Sequence, residues 1–161
     1  MTKAGDLRDR LRAAAAGDAD SVAALQRAAF DEPWSTESVA RLLAGPANLS
    51  LVAPDGSGGL AGFLIGQCVV DTAEVVAVAV AAEHRRAGWG RALLGGFEAV
   101  ARASGAERVL LDVAADNAPA LALYDARGYR TVARRDRYYV AGRTTPVDAL
   151  VMVKMLSTAT G

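Results

Sequence analysis

Arg85-Arg86-Ala87-Gly88-Trp89-Gly90-Arg91 lies between an apolar run, Val75 to Ala82, and a helical pattern that opens at Trp89. Such a stretch reads as a phosphate cradle. Gly88 and Gly90 let the backbone turn tightly and bring its N–H groups close to a ligand, while the helix behind them adds a partial positive charge. Arg85, Arg86 and Arg91 place full charges beside it. No Lys-Ser or Lys-Thr follows the glycines and the three-glycine dinucleotide spacing is missing, so the pattern points away from a nucleoside triphosphate. By itself a glycine turn between strand and helix is more often architecture than a binding site, and the rest of the chain has to decide.

Composition narrows the chemistry. The 161 residues suit one domain with a full core. Eighteen basic and 18 acidic residues cancel, and no block of like charge appears. That argues against a general nucleic-acid binder or a membrane-surface protein. Only Lys3 and Lys154 are lysines, so the positive charge is almost wholly arginine, which suits bidentate phosphate contacts. With one cysteine, Cys68, and one histidine, His84, neither a disulfide nor a metal site is expected, and a Cys-His nucleophile pair has little support. The start of the chain has no signal-like apolar core and no apolar run reaches the roughly 18 residues of a membrane span. A cytoplasmic protein is the expectation.

The elements that must position the cradle follow from periodicity. Leu7 to Ala14 reads as a first strand. A helix runs from a cap at Asp18 or Asp20 to about Phe30, with Val22, Leu25, Ala29 and Phe30 at helical spacing. Pro33-Trp34-Ser35 breaks the chain before a short helix, Thr36 to Ala44, whose Val39, Leu42 and Leu43 face inward. Leu49 to Ala53 and Leu60 to Val70 make a hairpin, and Val75 to Ala82 is a central strand feeding the glycine loop. The helix from Trp89 stops near Gly105. Val109 to Ala114 is a strand carrying Asp112, Asn117 caps a short helix with Pro119 in its first turn, and that helix ends at Gly128. Tyr129 to Tyr139 and Val147 to Leu156 close the fold across a loop with Gly142 and Pro146. The sum is a single mixed α/β domain over 1–161, with 1–6 and 157–161 as flexible tails.

Four features coincide in this order: the Arg85-x-x-Gly88-x-Gly90 loop, the Val78-Ala79-Val80 strand before it, Asn117-x-x-Ala120-x-x-Leu123-Tyr124, and Gly128-Tyr129. Together they resemble the GNAT acetyltransferases. Pro33-Trp34-Ser35 and Arg134-x-x-Arg137-Tyr138-Tyr139 are similar to the bacterial members of that family that acetylate the N-terminal alanine of a ribosomal protein. The resemblance implies a mostly antiparallel mixed sheet, splayed at an acetyl-CoA site, with helices on both faces. It implies that backbone N–H groups from Arg86 to Arg91 hold the pyrophosphate, with Arg85, Arg86, Ala87, Gly88, Trp89, Gly90 and Arg91 around it. Val78, Ala79 and Val80 would pair with the pantetheine arm, an N–H near Val80 would polarise the thioester carbonyl, and Asn117 would touch the same cofactor.

The implied reaction is direct attack of an amine on the thioester through a tetrahedral intermediate. An α-amine with a pKa of about 7.7–8.0 is partly neutral at cellular pH, whereas lysine near 10.4 is almost wholly charged. Tyr124 is expected to protonate the leaving thiolate. The proton acceptor falls at position 112, where the family pattern has Glu and this chain has Leu111-Asp112-Val113. The shorter side chain withdraws the carboxylate by about 1.5 Å and favours a bridging water. Glu74 is the reserve base, and Trp34, Tyr138 and Tyr139 are expected around the acceptor's first residues.

Plainer readings stand beside these. Asp112 and Glu74 suit solvated strand positions, Tyr124 a helix core, Asn117 a cap, and the three aromatics a core or rim. His84 and Cys68 read as structural. Arg134, Arg135 and Arg137 suit a solvated strand face or attraction of an acidic peptide or ribosomal RNA. An acceptor that is a lysine or a small amine, or a non-catalytic acetyl-CoA-binding module, stays open at this point, as does the oligomeric state.

Overall fold

The computed structural model describes residues 7–30, 32–140 and 144–157. Its elements follow in chain order as β1 (Arg12–Ala13), α1 (Ala19–Ala29), α2 (Thr36–Ala44), β2 (Leu51–Pro54), β3 (Leu60–Val69), β4 (Thr72–Val80), α3 (Trp89–Ala103), β5 (Arg108–Ala114), α4 (Ala118–Ala126), β6 (Arg130–Tyr139) and β7 (Val147–Met155). The strands form one sheet in the order β1-β2-β3-β4-β5-β7-β6. Only β4 and β5 run parallel; the other neighbours are antiparallel. This is the mixed, mostly antiparallel sheet that the family resemblance implied.

Helices cover both faces. On one, α3 inserts Leu93, Leu94 and Phe97 and α4 inserts Tyr124 against Leu64, Val75, Val109, Leu111 and Met152. On the other, Val22 and Ala23 of α1 and Val39 and Leu43 of α2 meet Val52, Phe63, Ile65, Ala77 and Ala79. Phe63 and Phe97 are fully buried, each worth about 1.5–3 kcal/mol relative to exposure. Local chemistry sets the helix starts. The Ser35 hydroxyl accepts from the Ser38 N–H at 3.1 Å, and the Asn117 carboxamide accepts from the Ala120 N–H at 3.2 Å.

One irregularity organises the centre of the sheet. Val75 pairs with Gly66 and Ala77 with Ile65, so Val76 is an extra residue on β4. Such a bulge shifts the side-chain alternation by one and increases local twist. Val75 accordingly packs beneath α3, while Ala77 and Ala79 pack beneath α1 and α2. The pairing of β4 with β5 covers Thr72 to Val75 and ends there. Beyond it the two strands separate, and the remaining length of β4 is paired only with β3. Gly66 serves the same spot: a Cβ there would stand 2.3 Å from the Phe97 ring, so only glycine lets α3 lie this close.

Several local expectations are corrected. Leu7 to Ala14 is not one strand. Leu7 and Leu11 have helical spacing, and the Arg10 and Leu11 N–H groups donate to the carbonyls of Leu7 and Arg8 in a helical turn that buries Leu7, leaving only Arg12–Ala13 extended. Ala29, Phe30 and Leu42 are exposed, because the buried stripe of α1 runs through Ala19, Val22, Ala23 and Gln26 and that of α2 through Val39 and Leu43. The central strand starts at Thr72 and stops at Val80, where a 3-10 turn, Ala82–His84, leads into the glycine loop. Residues 1–6, 158–161 and Gly142 lie outside the described residues. Ser157 is held by its carbonyl, which accepts from Arg102 Nε at 2.9 Å.

Candidate active site

The separated ends of β4 and β5 form the floor of the site. Val78 and Val80 are half-buried on the α3 side of β4, whereas the Ala79 side chain is buried on the opposite side and offers only backbone. After the 3-10 turn, Arg86 (φ 64) and Gly88 (φ 93) both take left-handed backbone conformations. A non-glycine residue there is costly, about 1–3 kcal/mol, and such strain collects at ligand-binding turns. Alternating turns of this kind aim successive N–H groups into one concavity. Gly88 is the N-cap of α3, no side chain caps that helix, and its first turn holds no acid, so its N-terminal N–H groups stay available to an anion. Arg85, Arg86 and Arg91 are exposed around it, and Arg85 Nε also reaches the Val80 carbonyl at 3.3 Å. Trp89 is buried under the Arg10 guanidinium, so only its backbone faces the loop.

Asp112 and Tyr124 lie on opposite faces of the sheet, Asp112 on the length of β5 just beyond its pairing with β4. Leu111 and Val113 point into the core beneath α3, so the strand alternation turns Asp112 the other way. Its carboxylate is half-exposed and stands 3.6 Å from Arg135 Nε. Tyr124, on α4, is buried under α3's face; burial and the nearby Tyr139 push its phenol up to about 12. Glu74 is exposed and level with Leu110 across the parallel ladder, on the Asp112 face, and accepts from Gln67 Nε2 at 3.4 Å. That register leaves it two residues, about 6–7 Å, behind Asp112 along the strands.

Trp34 and, through its contact with Arg135, Tyr138 border the Asp112 face, whereas Tyr139 lies close to Tyr124. Trp34 is half-buried against α1 and α2 and lines a groove of about 480 Å³ with Ser38, Arg41 and Leu42. Arg41 and Leu42 also line a neighbouring hollow with Gln67 and Val76, so the groove leads toward the β4 bulge. Across the opening, Tyr138 and Tyr139 stack edge to face with centroids 5.1 Å apart. Among the described residues no group of acidic, histidine or cysteine side chains is arranged to hold a metal.

Three positioning side chains, Gln26, Asp148 and Glu98, escaped the sequence reading, as did the partner of Arg135. Gln26, fully buried, donates to the Glu32 carbonyl and accepts from the Trp34 N–H at 2.7 Å, pinning the loop that carries Trp34. Asp148 accepts from the Arg137 N–H at 2.8 Å and Arg134 Nε at 2.6 Å, which holds the β6 irregularity where Arg137 turns left-handed just before Tyr138. Arg135 pairs with Asp112. Glu98 sits in the core beneath Tyr124's neighbour Tyr129. Of these, Glu98 left a trace in the sequence, as a charge among Leu94, Phe97 and Ala101 on the apolar stripe of α3; the roles of Gln26 and Asp148 and the pairing of Arg135 depend on strand pairing and loop closure.

Beyond the end of this parallel pair lies an uncapped, arginine-rimmed helix start, and the sequence profile of the acetyltransferase (GNAT) family matches residues 19–129: the chain belongs to that family. Individual relatives narrow the likeness. The chain is 36% identical over 103 residues to the ribosomal protein bS18-alanine N-acetyltransferase of Escherichia coli K12, covering 63% of this chain and 68% of that protein. It is 35% identical over 141 residues to the N-alpha-acetyltransferase RimI of Mycobacterium tuberculosis, covering 84% and 85%. The crystal structure of the E. coli ribosomal-protein-S18-alanine N-acetyltransferase superposes with a TM-score of 0.85 at 29% identity over 92% of this chain and 94% of that one.

Proposed function

We propose that this protein transfers acetyl from acetyl-CoA to the N-terminal α-amine of a protein, with the alanine of a small-subunit ribosomal protein as acceptor, in the cytoplasm where such proteins are made. The observation that carries this reading is the opening between β4 and β5 with Asp112 on one face and Tyr124 on the other. A base and an acid on opposite sides of one gap suit an acceptor and a donor that arrive from opposite sides. The E. coli relative, a ribosomal protein bS18-alanine N-acetyltransferase, supports the choice of acceptor, and the M. tuberculosis relative, an N-alpha-acetyltransferase, supports an α-amine.

Acetyl-CoA supplies the activated acetyl group and its thiol leaving group. The residues present fit such a donor: the uncapped start of α3, the left-handed pair Arg86 and Gly88, and the exposed arginines suit a pyrophosphate. The length of β4 that lacks a β5 partner offers backbone groups at Val78 to Val80 to an amide-bearing arm. Asn117 spends its carboxamide oxygen on the helix cap and keeps its NH₂ for a ligand.

Asp112 accepts the proton of the attacking amine, through water where its short side chain falls short by about 1.5 Å, and Glu74 stands behind it. Because an α-amine is already partly neutral, the base has less to do than for lysine. Tyr124, held at about 12, stays protonated across the working pH range and can give its proton to the departing thiolate. Trp34, Tyr138 and Tyr139 receive the first residues of the acceptor.

The test offers acetyl-CoA with an Ala-start peptide bearing a free N-terminus, and with the same peptide blocked at its α-amine but carrying an internal lysine. Thiol release and mass spectrometry read the product. Acetylation of the free N-terminus alone is expected. Modification of the lysine peptide, or of neither, overturns the acceptor assignment.

A further inference from the structure

We infer that Glu98 and Tyr129 form a positioning couple that holds the Tyr124 hydroxyl at a set distance from the cofactor loop, an inference that rests on Tyr124 being the proton donor. Glu98 is 2% exposed, on α3. A carboxylate there is costly unless every lone pair is used, and three elements converge to use them. The Tyr129 hydroxyl donates to Oε2 at 3.0 Å, and Lys154 Nζ from β7 donates to Oε1 at 2.8 Å. Arg127, at the end of α4, donates to the same Oε1.

Tyr129 is the joint. Its hydroxyl is bound to Glu98, its backbone N–H donates to the Tyr124 carbonyl at 3.0 Å, and its ring lies 5.8 Å from the Tyr124 ring at 59°. Glu98 in turn stands nine residues along α3 from Trp89, about 13–14 Å on one rigid helix. The loop expected to hold the pyrophosphate and the couple that holds Tyr124 are therefore two points on the same rod.

Stability alone is a poor account of this arrangement. A well-packed apolar trio commonly does as well as a buried ion cluster, and here Arg127 Nε is left buried without a partner. What hydrogen bonds add over apolar packing is a unique geometry. Misplacing a reacting group by a fraction of its reach costs rate and leaves ligand affinity alone.

The test is a double-mutant cycle. Tyr129→Phe and Glu98→Gln are each made alone and in a Tyr124→Phe background, with kcat and the KM for acetyl-CoA measured on the Ala-start peptide or on whichever amine the parent acetylates. Alone, each is expected to lower kcat about tenfold and to leave that KM within about twofold. With Tyr124→Phe already present, neither is expected to cost anything further. Equal losses in both backgrounds, or no loss alone, overturns the positioning role while leaving Tyr124 as the donor. A Tyr124→Phe enzyme as active as its parent instead removes the donor assignment, and the positioning role falls with it. Should Glu98→Gln fail to fold, Tyr129→Phe carries the test, since it keeps the ring and deletes one hydroxyl.

Discussion

The two sides of the opening between β4 and β5 are made of different material. On the α3 side the surroundings are packed: Leu93, Leu94 and Phe97 have no exposure, Tyr124 is buried, and the contacts offered to a donor are largely backbone. On the Asp112 side the surroundings are open. Arg135 and Tyr138 are exposed, Trp34 is half-buried, and the Asp112 carboxylate meets the exposed Arg135. The same contrast separates the two carboxylates. Glu98 is locked by three donors in the core, whereas Asp112 is partly exposed and faces a surface arginine at 3.6 Å. A donor of fixed shape is best met by groups that cannot move, because preorganised contacts cost no reorganisation on binding. An acceptor chain is met by side chains that can change without disturbing the core.

Substitutions on the packed side should therefore act on the donor half of the reaction, and those on the open side on the acceptor half. Tyr124→Phe should have the largest effect, a fall in kcat of about a hundredfold in steady-state turnover, the lower range for a lost general acid. Gly88→Val comes next: a β-branched residue forced to φ 93 displaces the loop, and the KM for acetyl-CoA should rise about tenfold or more. Tyr138→Ala should be milder, raising the peptide KM about threefold with the acetyl-CoA KM unchanged. A change in the acetyl-CoA KM from Tyr138→Ala, or in the peptide KM alone from Gly88→Val, would break the division.

The smallest effect is on stability. Burial pushes the Glu98 carboxyl up, but hydrogen bonds and charge from Arg127 and Lys154 outweigh it and hold it below its ordinary 4.5. A carboxyl depressed in the folded state contributes stability that is present above the unfolded value and is lost as pH falls through the folded one. The thermal midpoint should therefore drop as the pH is lowered below about 4.5, and Glu98→Gln should flatten that part of the profile. An unchanged acid slope in the variant would show that Glu98 is not held this way.

Spacing within single segments was legible before any tertiary information. Asn117 was in place to cap α4, Pro33-Trp34-Ser35 broke the chain before α2, the glycine loop stood ahead of α3, and the order of elements pointed to the fold. The residues that escaped notice work across segments. Gln26 reads as an ordinary polar helix position until Trp34 folds back on it, and Arg135 meets Asp112 only because β7 is inserted between β5 and β6.

What the sequence determined by itself is what neighbours along a chain can decide: capping, turn chemistry, and the strand and helix periods that set which residues are inward. The first segment shows the limit, since Leu7 and Leu11 fit a weak strand by composition and a helical turn by spacing, and packing against α3 chose the turn. Only the tertiary structure decided where β4 bulges against β3 and where it leaves β5, because a bulge and the end of a ladder exist between two strands and are absent from either one alone. Packing likewise decides that Asp112 and Tyr124 face opposite sides of the sheet, since α4 lies on the face that Leu111 and Val113 enter, and the buried charge of Glu98 acquires its partners only when α3, the end of α4 and β7 close around it.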